Sequence, residues 1–431
     1  MGVQNYKLNY IDLNYKPSNT DIIVEYYLEP EDGVSFEVAA ENVALESSIG
    51  TWTDLTTAMP LERANKYKPR VFFIDKKRGI IKVAHPIVLF ELGNISQLLS
   101  AIAGNIFGMK LLKNLRLEDI SFPEVYLNSF KGPSFGVQGV RKLVGVYNRP
   151  LVGTIIKPKI GLTSKEHAIV AYNAWMGGCD VVKDDENLTN QSFNKFNTRI
   201  KETYKLLKKA EKLTGSKKIY LPNVTAETKE MLKRAKFVKK NGGTHVMVDI
   251  VTVGFSGLQT LKNECDRLGL AIHAHRAMHA ALTRNKKHGI SMLVLAKLSR
   301  LIGVDQIHIG TIVGKMEGQK QEVLDIKNEM ENKVIQENLN NHVLYQDWKD
   351  IKPCFVVASG GLHPGNVPDL YNYFGKDVII QMGGGVHGHP SGTLKGAMAA
   401  RQAIDAVVKK IPLKKYAETH SELLLALNHW S

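Results

Sequence analysis

Short apolar segments alternate with amphipathic segments over the last two thirds of the chain. The apolar segments have the length of buried strands: VGTIIKPK, CDVVKDDE, KIYLPNVT, HVMVDIVT, AIHAHRAM, QIHIGT, CFVVASGG and VIIQMGGG. Between them lie segments with helical spacing, among them SKEHAIVAYNAWMGG, TKEMLKRAKFVKKNGG and HGISMLVLAKLSRLIGV. Many of these open near Ser, Thr or an acid and close at Gly, as helix termini do. Eight strand–helix units in about 270 residues predict a (β/α)8 TIM barrel, with a doubly wound open sheet as the alternative.

The N-terminal part follows a different pattern. IIVEYYLEP and RVFFIDKKRGIIKVAHPIVLF are rich in strand formers, whereas SFEVAAENVALES and NISQLLSAIAGNIFG have helical spacing. Strands and helices without strict alternation predict an α+β (ferredoxin-like) domain at residues 1–132. The barrel with its C-terminal helices then occupies residues 133–431.

Composition narrows the class of protein. The 431 residues are 44% hydrophobic and 23% charged, which is ordinary for a globular protein. The net charge of +15 comes from lysines spread along the chain at helical spacing, so we interpret them as solvated helix faces and expect no nucleic-acid partner. No apolar run has the length of a membrane span. Three scattered cysteines and the absence of a signal pattern predict a cytoplasmic protein.

Polar residues concentrate at the C-terminal ends of the predicted strands. TIM barrels build their active sites on that face, so this placement predicts an enzyme. The residues are Lys157, Lys159, Lys183, Asp185, Glu186, His273, His275, Arg276, His308, Ser359, Gly360, Gly361, Gly383, Gly384 and Gly385.

The segment GGCDVVKDDENL places one lysine among several acids. Lys183 and Asp185 are two apart and share a strand face, and Glu186 joins them where the strand ends. A simple ion pair at the barrel mouth is one interpretation. The carboxylates also suit Mg²⁺, which prefers oxygen ligands. A lysine repels that cation unless its amine reacts with CO2, which converts it to an anionic carbamate and supplies a further oxygen ligand.

The remaining clusters suit phosphate binding and proton transfer. Lys157 and Lys159 suit general acid–base work, although a pair of surface lysines is the alternative. Arg276 within HAHRAMHAA suits a phosphate. GTIVGKMEG lacks the spacing of a P-loop and suggests a mobile loop that carries Lys315. The glycines of ASGG and QMGGG allow backbone N–H groups to approach an oxyanion. Two phosphate sites beside a metal indicate a sugar bisphosphate and enediolate chemistry.

These motifs resemble the large subunit of ribulose-1,5-bisphosphate carboxylase/oxygenase (Rubisco) from about Tyr26 to the last helix. The resemblance rests on GGCDVVKDDEN, TIIKPKIGL, HAHRAMHAA, HIGTIVGKMEG, SGG and GGG. The compact chain is similar to the archaeal type, which works without small subunits. One departure is Gln306, which stands where many relatives have histidine.

The resemblance implies a role for each matched residue. Lys183, as a carbamate, with Asp185 and Glu186 would bind Mg²⁺, and the carbamate would help to remove the C3 proton of the substrate. Lys157 would protonate the final carbanion, with Lys159 in electrostatic support. His275 would lie near the C3 hydroxyl, and Lys315 would stabilise the incoming carboxylate. Substrate phosphates and hydroxyls would be held by Arg276, His308, Ser359, Gly360, Gly361, Gly383 and Gly384.

The N-terminal domain is implied to complete the site of a second subunit. LESSIGTWT matches the segment in which Glu46, Thr51 and Trp52 reach that site, and AGNIFG brings Asn105. A homodimer with shared active sites is therefore expected, and a ring of dimers is compatible with it. A monomer should be inactive.

The implied reaction is Mg²⁺-dependent carboxylation of ribulose 1,5-bisphosphate to 3-phosphoglycerate, with competing oxygenation by O2. Carbon fixation and AMP or nucleoside salvage are both open as metabolic roles. The alternative is a Rubisco-like enolase or isomerase that acts on a phosphorylated keto sugar analogue without adding CO2. A non-catalytic polyanion-binding protein is a third hypothesis, which predicts salt-sensitive binding to nucleic acid.

Overall fold

The computed structural model describes residues 9–50, 60–313 and 320–430, except for the side chain of Leu61. In the first part of the chain, the elements are β1 (Ile22–Pro30), α1 (Phe36–Glu46), α2 (Leu61–Tyr67), β2 (Arg70–Asp75), β3 (Ile80–His85), α3 (Ile95–Ile102), β4 (Leu112–Ser121), α4 (Glu124–Leu127), α5 (Gly136–Val144), β5 (Leu151–Ile155), α6 (Ser164–Met176), β6 (Val181–Lys183), α7 (Phe196–Thr214), β7 (Ile219–Leu221) and α8 (Thr228–Lys240). They are followed by β8 (His245–Asp249), α9 (Ile250–Leu268), β9 (Ala271–His275), α10 (Ala280–Thr283), β10 (Gly289–Ile290), α11 (Met292–Ile302), β11 (Gln306–Gly310), α12 (Lys320–Glu331), β12 (Val334–Ile335), β13 (Gln346–Asp347), β14 (Phe355–Ser359), α13 (Val367–Phe374), β15 (Val378–Gln381), α14 (Gly384–His387), α15 (Gly392–Val408), α16 (Leu413–Ala417) and α17 (Ser421–His429). None of the helices in these ranges is both long and apolar enough to cross a membrane.

One unit contains the described residues up to Lys131 together with 278–301 and 332–351. Its five-stranded sheet has the order β10-β4-β1-β3-β2, and β1 pairs antiparallel with both β3 and β4. Helix α1 begins after Ser35, whose hydroxyl accepts a hydrogen bond from the Val38 amide and so satisfies one free donor of the first turn. The predicted α+β fold is confirmed. Strand β4 was not predicted from the sequence.

A second unit contains the described residues of 132–277, 302–331 and 352–430. Its eight parallel strands have the order β7-β6-β5-β15-β14-β11-β9-β8. A bridge between Asn223 and Met247 joins the two ends of this order, because the Val224 amide donates to the Met247 carbonyl and the Met247 amide donates to the Pro222 carbonyl. The predicted (β/α)8 barrel is confirmed.

The barrel helices follow the local signals of the sequence. Helix α6 begins with a capping box in which Thr163 and Glu166 satisfy each other's backbone amides. In α7, Tyr204 and Leu207 are buried while Lys205 and Lys208 are exposed, so the lysine run is a solvated helix face as predicted. The helix ends where Gly215 adopts a left-handed conformation.

One apolar cluster of the barrel unit joins α5 to the strands, mostly through residues at or near the N-terminal ends of the strands. Val137, Val140 and Val144 of α5 pack with the first residues of strands, including Leu151 and Val181, all of them buried. Each such side chain stabilises the fold by about 1.5–3 kcal/mol through removal from water. Helix α5 thus packs against the N-terminal ends of the strands, whereas the predicted site residues lie at the C-terminal ends.

Two boundaries differ from the sequence prediction. Ile250, predicted as part of a strand, begins helix α9, because the strand already ends at Asp249. Gly289 and Ile290, predicted as helical, form the short strand β10 beside Arg116 and Leu117 of β4. Neither change moves a predicted site residue away from its strand end.

Candidate active site at the carboxyl ends of the barrel strands

Lys183 is the last residue of β6, and its side chain is fully buried. The amine donates to the Asp184 carbonyl at 2.8 Å and lies 3.4 Å from Glu186 Oε2. Burial lowers the pKa of Lys183, and the charges of Glu186, Asp249 and Asp185 oppose that shift only in part. A lowered pKa leaves more of the amine neutral, and the neutral amine is the form that attacks an electrophile.

Asp185 and Glu186 lie beside this amine, as the strand pattern predicts. Asp185 accepts hydrogen bonds from Lys157 Nζ at 2.7 Å and from the Asn187 side chain at 3.0 Å. Burial alone would raise the pKa of Asp185, but the hydrogen bonds from Lys157 and Asn187 bring it below its ordinary value. For Glu186, burial is likewise outweighed by the charges of Lys183 and His275, so its pKa is also lowered. Both carboxyl groups are therefore anions at neutral pH.

Lys157 and Lys159 converge on the same acidic pair. Lys157 Nζ contacts Asp185 Oδ2 at 2.7 Å, and Lys159 Nζ lies 3.9 Å from Glu186 Oε1. The peptide bond between Lys157 and Pro158 is cis. Each of the two lysines therefore lies beside one carboxylate of the pair.

His275 ends β9 and approaches the acids from the other side. Its Nδ1 lies 2.6 Å from Asp249 Oδ1, and its Nε2 lies 3.8 Å from Glu186 Oε2. Burial and the charge of Lys183 lower the pKa of His275 although Asp249 opposes them. Asp249 was missed in the sequence analysis. Its signal was present, since it is the one acid at the end of the strand HVMVD.

Three strands contribute a chain of neutral polar side chains. Gln306 and His273 are register partners on β11 and β9, and Gln306 Oε1 lies 2.7 Å from His273 Nδ1. The Nε2 atoms of His273 and His308 are 2.8 Å apart, and His308 Nδ1 lies 2.8 Å from Ser359 Oγ. Burial holds the pKa of His273 and of His308 well below the usual histidine range. The sequence predicted His308 and Ser359 as site residues but not this connection between them.

Arg276 follows His275, and its guanidinium lies close to Gly310 at the end of β11. A Cβ on Gly310 would lie 2.9 Å from Arg276 Nη2, and the φ angle of 102° at this position favours glycine. Burial lowers the pKa of Arg276 to about 10, with Glu322 in partial opposition. The group remains charged at neutral pH and suits an anion.

The predicted glycines lie where β14 and β15 end. Gly360 and Gly361 have φ angles of 118° and 67°, which strain any residue with a Cβ. A Cβ on Gly383 would lie 3.3 Å from Lys157 Cε, and Gly384 begins helix α14. Both glycine segments thus present backbone close to the end of the barrel that carries the lysines.

Asp184 has a different environment from its two acidic neighbours. Its carboxylate is fully buried and accepts hydrogen bonds from Arg199 Nε at 3.1 Å and Tyr220 Oη at 2.6 Å. Burial raises the pKa of Asp184, but Arg199 and His167 outweigh it and the pKa is well below the ordinary value. We assign Asp184 to the support of the barrel.

The other predicted site residues lie elsewhere. Glu46 is the last residue of α1, and Asn105 begins a 3-10 helix, both within the first unit. Thr51, Trp52 and Lys315 lie outside the described residues, so their predicted roles stay predictions.

Two carboxylates and an amine with a lowered pKa fit the predicted magnesium site. Within residues 9–50, 60–313 and 320–430, no group of three or more His, Cys, Asp and Glu side chains is arranged to bind a metal ion. The predicted ligand set contains only two such residues, Asp185 and Glu186, and takes its third anion from modified Lys183. All donors of that set are oxygens, which Mg²⁺ prefers.

A parallel barrel with lysines, carboxylates and histidines converging at the carboxyl ends of its strands is a TIM-barrel enzyme. Residues 136–430 match the family model of the ribulose bisphosphate carboxylase large chain catalytic domain, and residues 9–126 match that of its N-terminal domain. The ribulose bisphosphate carboxylase of Methanosarcina mazei is 55% identical over 98% of this chain and 99% of its own, and that of Pyrococcus abyssi is 51% identical over 98% and 96%.

Solved structures agree with the sequence comparison. A dimeric archaeal Rubisco from Hyperthermus butylicus has a TM-score of 0.93 at 44% identity and covers 98% of both chains. An octameric Rubisco from Pyrococcus horikoshii has a TM-score of 0.92 at 49% identity over 100% of this chain and 98% of its own. The chain belongs to the ribulose bisphosphate carboxylase large-chain family, is an enzyme of that class, and is similar to its archaeal members, as the sequence predicted.

Proposed function

We propose that the enzyme carboxylates ribulose 1,5-bisphosphate to 3-phosphoglycerate in a Mg²⁺-dependent reaction, with oxygenation by O2 in competition. The observation that carries the proposal is the fully buried amine of Lys183, whose pKa is lowered by burial, beside two anionic carboxylates. A buried ion pair alone gives little net stability, so a chemical use for this amine explains its position better.

Activation begins on Lys183 itself. The neutral Nζ forms a bond to the carbon of CO2, one C=O electron pair moves onto oxygen, and the nitrogen loses a proton to water to give a carbamate. Modified Lys183, Asp185 and Glu186 would then hold Mg²⁺. When bound, the ion supplies stabilisation of negative charge on the oxygens of the enolised sugar.

Side chains around the acids position the substrate and move protons. Lys157 holds a proton on Nζ at 2.7 Å from Asp185, which suits protonation of the final carbanion, and Lys159 adds positive charge nearby. We assign His275, whose Nδ1 lies 2.6 Å from Asp249 Oδ1, to the C3 hydroxyl of the substrate. These roles follow the family resemblance, and the shared position at the strand ends supports them.

The two phosphates of the substrate require two anion sites. Arg276 remains charged at neutral pH because its pKa stays at about 10, and it suits one phosphate. His308, whose ring nitrogens contact His273 and Ser359, is assigned to the same end of the site. The backbone of Gly361, Gly383 and Gly384 suits the other, and Ser359 and Gly360 lie beside the sugar hydroxyls in this assignment.

A second copy of the chain would complete each site. Glu46, Thr51, Trp52 and Asn105 are assigned to the partner's substrate, and Lys315 to the incoming carboxylate. The dimeric and octameric relatives support a homodimer or a ring of dimers. We expect dilution to monomers to abolish activity.

Incubation with labelled bicarbonate, Mg²⁺ and ribulose 1,5-bisphosphate tests the function. We expect acid-stable label in 3-phosphoglycerate. Consumption or isomerisation of a phosphorylated sugar without incorporation of label would instead establish the enolase or isomerase alternative and refute the carboxylase assignment.

A further inference from the structure

Two buried imidazoles face each other through the same ring nitrogen. The Nε2 atoms of His273 and His308 are 2.8 Å apart, with the rings at 87° to each other. A hydrogen bond at this distance needs one donor and one acceptor. Both rings are neutral because burial lowers the pKa of each well below the usual range. One ring must therefore carry its proton on Nε2 and the other on Nδ1.

Only two arrangements of protons satisfy the pair. In the first, His308 donates from Nε2 to His273, so His273 carries its proton on Nδ1 and His308 Nδ1 accepts from the Ser359 hydroxyl. In the second, all three hydrogen bonds are reversed, and Ser359 Oγ accepts from His308. The two arrangements differ in what Ser359 offers to a ligand at the barrel mouth.

Gln306 decides between them because it contacts the far end of the chain. Its amide oxygen lies 2.7 Å from His273 Nδ1, and an oxygen can only accept. Register explains the contact, since Gln306 on β11 lies opposite His273 on β9. The Gln306 amide nitrogen has no hydrogen-bond partner among the described residues, so the oxygen alone fixes the side chain within this network.

We infer that Gln306 is a positioning residue that sets the direction of this hydrogen-bond chain and makes Ser359 a hydrogen-bond acceptor toward the substrate. The inference rests on the proposed function for the identity of the substrate. In the enzyme, the Ser359 hydroxyl donates its hydrogen bond to His308, and a free lone pair of Oγ accepts a hydrogen bond from a hydroxyl group of the sugar. Gln306 itself touches no substrate.

Neutron diffraction from deuterated crystals of the full chain tests the direction without any assay of activity. We expect deuterons on His273 Nδ1 and His308 Nε2. Deuterons on His273 Nε2 and His308 Nδ1, or on both nitrogens of either ring, would overturn the inference. The proton positions can be measured even if the protein does not carboxylate ribulose bisphosphate. Failure of the hydrogen-bond inference can therefore be distinguished from failure of the proposed function.

Kinetics of Gln306→Met test the functional consequence. Without an acceptor at His273 Nδ1 both directions become populated, so we expect KM for ribulose bisphosphate to rise on the order of fivefold while kcat stays within about twofold. Gln381→Met is the matched control, since Gln381 is a buried glutamine on β15 whose amide contacts no described partner. An unchanged KM in Gln306→Met, or an equal rise in the control, would refute the positioning role.

Discussion

Replacement of Asp184 by Asn tests whether this acid supports the fold, unlike Asp185 and Glu186, which are proposed to bind the metal. The Asp184 carboxylate accepts hydrogen bonds from Arg199 Nε, Tyr220 Oη and the Asn223 amide, at 3.1, 2.6 and 3.0 Å. The side chains of Asp184 and Arg199 are both fully buried. Asp184→Asn removes the anion and leaves the guanidinium without its charged partner.

The size of the effect follows from this burial. Removal of one partner from a buried ion pair costs about 3–5 kcal/mol. In a protein of this size each kcal/mol lowers the melting temperature by about 1–2 °C, so we expect a fall of about 3–10 °C. Urea denaturation at pH 7 measures the free energy of unfolding, and a thermal scan measures the melting temperature.

Asp185→Asn is the matched control, because it makes the same change one residue later. The side chain of its partner Lys157 is 28% exposed and can turn toward water. We therefore expect the free energy of unfolding to fall by less than about 1.5 kcal/mol. Carboxylation should nevertheless be abolished in Asp185→Asn. Equal destabilisation by the two variants would refute the assignment of Asp184 to the fold.

Three further variants test the site and the fold. Lys183→Met should lower CO2-dependent activity at least about 100-fold, because it removes the proposed metal ligand, and retained turnover would contradict the proposed metal site. Gly243→Ala should destabilise the protein by about 1–3 kcal/mol in urea, since its Cβ would lie 2.4 Å from both Tyr204 Oη and Val238 Cγ1; an unchanged urea midpoint would refute this clash. Burial lowers the pKa of His245 to about 3. Below about pH 6.5 the unfolded chain therefore takes up a proton that the folded chain does not, and the free energy of unfolding decreases as the pH is lowered. Between pH 6 and 4, His245→Asn should reduce the dependence of the free energy of unfolding on pH by about 1.4 kcal/mol per pH unit. An unchanged pH dependence would refute the contribution of His245.

The sequence identifies the barrel and its strand-end residues because both depend on local patterns. Lys183, Asp185 and His275 stand where an apolar strand ends, and parallel strands bring such ends to one face. Strand polarity and alternation were therefore sufficient to predict that these side chains lie together.

Other features depend on contacts between distant segments. The sequence alone does not separate Asp184 from Asp185, because Arg199 and Tyr220, which bind Asp184, come from α7 and β7. The contact of Gln306 with His273 arises from the register of β9 and β11, which no local pattern fixes. The hydrogen-bond partners of Asp184 and Gln306 are therefore determined by tertiary contacts and not by the local spacing of residues.

In the proposed reaction, CO2 converts Lys183 into a ligand for a divalent ion. Crystals equilibrated with CO2 and Mg²⁺ test this most directly through an electron-density map at the end of β6. We predict density for a carboxylate bonded to Lys183 Nζ and a cation that contacts it together with Asp185 and Glu186. An unmodified amine at position 183 with no cation beside the two acids would contradict the account.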